Sequence, residues 1–149
     1  MLRTMTAARR QRWLASLWIL GFSLLIADTA DAARVRPALL FLEGYVGEAP
    51  AGVRPQARLV LQYQGQNYNF DLTRTGVKSG NRSSGRLLQD IRPFQNTLIL
   101  RGSAASVAAL TSASPGQKLR ISGYHQSGSR ELNVSETRTE PASPTPAAH

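Results

Sequence analysis

"QYQGQNYNF", residues 62–70, places one glycine between two polar arms that each carry a tyrosine. Written out over residues 58–73, the arms alternate apolar and polar positions with period two, the pattern of strands that bury one face. A two-residue turn at Gly65-Gln66, with glycine first, is the arrangement of a type II′ hairpin. That turn sets Tyr63 opposite Tyr68, Leu61 opposite Phe70 and Leu59 opposite Leu72, and leaves Gln62, Asn69, Val60 and Asp71 on the other side. One face of the ribbon is therefore aromatic and aliphatic. The tyrosines read as packing at a core edge, with hydroxyls reaching water at the tip, rather than as a ligand platform.

A second ribbon closes around Ser127-Gly128, with Ile121 opposite Val134 and Gly123 opposite Leu132 inside, and Arg120, Ser122 and Tyr124 outside. Before the first ribbon, "ALLFLEGYV" (38–46) reads as a long first strand that bends or bulges at Gly44, followed by a Gly/Pro loop over 47–55. Between the ribbons, "TLILRG" (97–102) reads as a short buried strand. The Ala-rich stretch after Ser103 makes one short helix, capped by Ser103 and stopped by Pro115-Gly116. The sum is a mainly β chain: a small OB-like β-barrel of five to six strands with one short helix. A small β-sandwich or another six-stranded barrel is the alternative.

The closing segment "GQKLRISGYHQSGSRELNVSE" (116–136) resembles the final strand pair of many OB domains, in which a strand ending in glycine is followed by a turn and a closing strand. "YNFDLTRTG" (68–76) is similar to the Tyr-x-Phe-x-Asp-x-Thr-Gly stretch of exported bacterial OB-fold proteins, with Asp71 directly after Phe70 and the Thr-Gly pair four residues further on. The resemblance spans residues 38–136 at the level of architecture, and the strand count runs one over.

The first 32 residues read as an address. Arg3, Arg9, Arg10 and Arg12 form a positive region, an apolar run follows from Trp13 to Ala27, and Ala30-Asp31-Ala32 is a small-x-small cleavage site. The expected organisation is a signal peptide over 1–32, a barrel domain over 33–136 and a disordered Pro/Ala/Thr-rich tail over 137–149. The expected location is periplasmic or secreted, or the inner membrane if the leader stays as an anchor. The whole chain carries 18 Lys+Arg against 9 Asp+Glu; without residues 1–32 these become 14 and 7, a net charge of +7. A field of that sign favours polyanions: nucleic acid, anionic glycans or lipid head groups. The chain has no cysteine, which excludes thiol catalysis and cysteine-ligated metal.

Two constellations could carry binding. Residues 74–96 read as one long connection, and connections of that length in a compact domain are either functional or disordered. It holds Arg74, Lys78, Arg82, Arg86 and Arg92 against one acid, Asp90, with "RLLQDI" as a turn of helix pinned by Leu87, Leu88 and Ile91. At the second hairpin tip, Tyr124 and His125 stand beside Arg120 and Arg130, an aromatic among cations as in single-strand nucleic-acid binders. No nucleophile motif, paired acids or metal-ligand spacing is present, so no catalytic residue, metal or cofactor is assigned. The expected function is an exported, non-catalytic envelope module that binds an anionic ligand through the basic loop. The alternative is a structural or accessory subunit docked on an envelope protein assembly.

Overall fold

A computed structural model describes residues 36–80 and 86–141. Six strands close into a barrel: β1 (Ala38–Val46), β2 (Ala57–Tyr63), β3 (Gln66–Ser79), β4 (Thr97–Arg101), β5 (Lys118–His125) and β6 (Glu131–Thr139). Around the barrel the order is β1-β3-β2-β4-β6-β5, with β5 returning to β1. Two short helices complete the fold, α1 (Leu87–Ile91) and α2 (Ala104–Thr111), with a single 3-10 turn, Arg92–Phe94, after α1. The fold is thus mainly β and OB-like as expected. Besides the one short helix expected after Ser103, the helical turn expected in "RLLQDI" forms as α1, with Leu87 and Ile91 buried and Leu88 packed against the core.

The first hairpin forms, but its turn is one residue earlier. Tyr63 pairs with Gln66, Leu61 with Tyr68 and Leu59 with Phe70, so the turn residues are Gln64 and Gly65. Both have positive φ, 48° and 79°, which is the type I′ requirement and not that of type II′. The slip moves the register by two residues, and a two-residue slip leaves every side chain on its face. Leu59, Leu61, Tyr63 and Phe70 are accordingly buried, and the Tyr68 hydroxyl donates to Gln66 Oε1 at 2.8 Å. The second hairpin slips in the same way, pairing Gly123 with Val134 and His125 with Leu132.

β1 alternates from its start, with Leu40 and Leu42 inside and Phe41 and Glu43 outside, until its register against β3 shifts at Gly44. A Cβ at Gly44 would overlap the Asp71 carbonyl oxygen and lie 2.6 Å from Phe70 Cε1, so the bend depends on the missing side chain. Asp71 is itself buried; it accepts the Ala49 N–H at 2.9 Å and meets Arg58 Nε at 3.5 Å, tying the 47–56 loop to β3.

The barrel interior is filled by Leu40, Leu42, Leu59, Leu61, Phe70, Leu72, Leu98, Leu119 and Ile121, all nearly inaccessible. α2 starts where expected: Ser103 accepts the Ser106 N–H at 3.2 Å as N-cap. It lies against β6, with Val107 and Leu110 buried and the Ala109 N–H donated to Thr137 Oγ1 at 3.1 Å. Those two side chains contribute about 1.5–3 kcal/mol each, more than an eight-residue helix could supply from its own propensity.

Two boundaries differ from the sequence reading. The expected long connection is short, because β3 continues to Ser79 and α1 begins at Leu87. β6 runs to Thr139, three residues into the expected tail, and the Glu140 N–H still donates to Lys118 O at 2.9 Å. The expected leader, Arg82 and residues 142–149 lie outside the described residues.

Candidate functional site: a cationic outer face on strands β3, β1, β5 and β6

The extension of β3 places two cations of the expected basic loop on a sheet. Past Gly44, Glu43 pairs with Arg74 on one side and Arg120 on the other, and Arg120 pairs with Arg138. One cross-strand row therefore reads Arg74, Glu43, Arg120, Arg138. Neighbouring strands lie about 4.8 Å apart, so the row spans roughly 15 Å. Like charges directly opposite each other, as Arg120 and Arg138 are, weaken a sheet. Each is compensated sideways: Arg120 Nη1 lies 3.3 Å from Glu43 Oε1, and Arg138 Nε donates to Glu136 Oε1 at 2.6 Å.

The next row is Gly76, Phe41, Ser122, Glu136. A Cβ on Gly76 would come within 2.6 Å of Phe41 Cε1, so the ring lies down on that backbone. Over it stand the guanidiniums of Arg120 and Arg74, 4.6 and 5.5 Å from the ring centroid. Cation–π contact and the Glu43 pair hold Arg120 in place, with its Nε buried and without a hydrogen bond. Beside these rows is a cavity of about 150 Å³ lined by Lys78, Arg120, Ser122, Glu136, Arg138 and Glu140. It is large enough for one phosphate, sulfate or carboxylate group with its water.

Arg74, Lys78 and Arg120 are thus brought together from two separate sequence constellations. Phe41 and Arg138 join them without having been expected. The remaining residues go elsewhere. Arg86 is exposed just before α1, where its carbonyl accepts the Gln89 and Asp90 N–H groups, and Arg92 is exposed in the 3-10 turn. Arg130 stands 4.8 Å over the ring of Phe94, in the same turn as Arg92. Tyr124 is exposed on β5, between Leu39 and Asn133.

His125 corrects the sequence reading. It continues the inward series of Ile121 and Gly123, and it is fully buried. Its Nε2 lies 2.8 Å from Ser129 O and 3.6 Å from Asp90 Oδ2. The ring therefore links α1 to the end of β5 and has no surface to offer a ligand. Asp90, the one acid of the expected loop, lies beside the ring with its Oδ2 buried and without a hydrogen bond.

Among the described residues no group of three or more His, Asp or Glu is placed to hold a metal ion. Comparison with models of protein families, with curated proteins and with solved structures finds no match to this chain.

Proposed function

We propose that the protein is an exported, non-catalytic binding module of the cell envelope, and that the outer face of β3, β1, β5 and β6 captures an anionic ligand. The observation that carries this reading is the row Arg74, Glu43, Arg120, Arg138, joined by Lys78 against Glu136 and Glu140 at the cavity, with the guanidiniums of Arg74 and Arg120 over the Phe41 ring. Stacking pre-orders the guanidiniums, so less side-chain freedom is lost when an anion binds. The ring of Phe41 is occupied by Gly76 below and guanidinium above, which favours recognition of the ligand's charge over stacking of its bases.

The test is retention on a heparin resin. Replacing Arg74, Lys78 and Arg138 by serine removes three exposed cations while Arg120 keeps its Glu43 partner, so the melting temperature should be unchanged. Retention should fall, and the slope of log affinity against log salt should become shallower by about 2 to 3, near the number of ion contacts removed. Equal retention with an intact fold contradicts the reading.

Export is supported by the order of charge, apolar run and small residues in the first 32 positions. Protein recovered from cells should have an intact mass lacking residues 1–32. A mass that retains them turns the module into an anchored one.

A further inference from the structure

β3 is longer than the strand beside it. It pairs with β2 only over Gln66 to Leu72, yet with β1 out to Ser79. From Thr73 onward one edge of β3 faces β1, and no strand among the described residues pairs with the other. The direction of the backbone groups follows from the register. Val46 donates to Gln117 O on the β5 side, so even-numbered residues of β1 address β5 and odd-numbered ones address β3. The Phe41 and Glu43 carbonyls accordingly accept from Thr75 Oγ1 and Thr73 Oγ1 of β3. Arg74 and Gly76, opposite Glu43 and Phe41, turn their amides to β1. Thr75 and Val77 therefore turn theirs to the open edge.

Three features of this edge select what can pair with it. Register shifts at Thr73 and Lys78 confine the regular part to residues 74–77, which is short enough to discourage indefinite stacking. Val77 is 39% exposed, an apolar side chain in a strand with no neighbour to cover it. Arg74 and Lys78 are exposed on the outer face beside it; Arg74 rests over the Phe41 ring while the edge is empty, and both are one strand spacing from an added strand, within reach of its side chains. A second copy would pair antiparallel about Gly76 and set Arg74 against Lys78, a like-charge match. An acidic strand meets the opposite situation.

We propose that the overhang of β3 accepts an extended acidic segment of a partner protein as an added strand. Its alternate residues are apolar, covering Val77, and acidic, meeting Arg74 and Lys78. Main-chain hydrogen bonds to Thr75 and Val77 supply the pairing, and the charges screen the partner. The edge and the anion-binding face share Arg74 and Lys78 but make separable demands, since only the edge requires backbone donors on the ligand.

The experiment uses the purified protein and a blocked heptapeptide alternating valine and glutamate. Binding should slow hydrogen exchange of the Thr75 and Val77 amides by about tenfold or more, with smaller effects at Arg74 and Gly76. The same peptide methylated on alternate backbone nitrogens should bind about tenfold more weakly or worse, as should its lysine counterpart. Val77→Pro, which removes one outward N–H at an edge position that tolerates proline, should reproduce that loss. Equal binding by the methylated peptide overturns the proposal and reduces the interaction to charge on the outer face. Absence of binding overturns it as well, and so does a dimer in which these amides are already protected.

Discussion

Gly44→Val is expected to cost about 3 kcal/mol or more, enough to abolish folding of a domain of ordinary stability. The β-branched side chain would have to occupy space held by the Asp71 carbonyl and the Phe70 ring, and neither can retreat. Phe70 is at the centre of the barrel, and Asp71 holds Ala49 across the neighbouring loop. Relief would require β1 and β3 to separate at the point where their register already shifts. Urea unfolding followed by circular dichroism measures it. A midpoint within error of the parent would show that β1 does not bend at this glycine.

Ile91→Ala is expected to destabilise the protein by about 2–5 kcal/mol. The residue ends α1 and is completely buried, with Leu87 one turn earlier on the same side. This segment was read from the sequence as part of a long basic connection. If it were only a solvated loop, truncation of Ile91 would cost a few tenths of a kcal/mol. The denaturant midpoint should fall with the slope m retained, since the native barrel and its unfolded chain expose nearly the same surfaces as before. An unchanged midpoint would return residues 86–94 to the status of a loop.

Strand faces were legible in the sequence because alternation survives a register error of two. Both hairpins slip by that amount at their tips and keep Leu59, Leu61, Phe70 and Val134 inside; Ile121, beyond the bulge at Ser135, pairs with Thr137, three residues from the expected partner, and is inside as well. Turn type was less legible: Gly65 alone did not say whether it was the first or the second turn residue, and Gln64 adopts positive φ with no sequence signature for it. The end of β3 was missed for a different reason. "TRTGVKS" contains a glycine and two cations, which read as loop chemistry, yet the glycine is there to admit the Phe41 ring and the cations lie on the solvent face.

The same failure hid half of the candidate site. Phe41 belongs to a run that is apolar on both faces, so composition gave it no side; Glu43, two residues on, was the marker of the outer face. Arg138 lies in a stretch whose prolines, threonines and alanines suggest a tail, and a bulge at Ser135, which has no sequence signature, puts it on the outer face of β6. His125 was read as exposed from its place beside a turn, when its parity with Ile121 and Gly123 already put it inside. For Phe41 and His125 the period-two rule carries the answer; for Arg138 it does not, because the bulge at Ser135 reverses the faces of β6.

An anionic ligand held by the outer face of β3, β1, β5 and β6 would perturb the backbone of those strands. Backbone amide chemical shifts recorded while the protein is titrated with a heparin oligosaccharide test it most directly. Saturable shifts are expected at Arg74, Gly76, Lys78, Arg120, Ser122 and Arg138, diminishing as salt is raised. Shifts confined to Arg86, Arg92 and Arg130 at the α1 turn and second hairpin tip, or no saturable shifts at all, would contradict it.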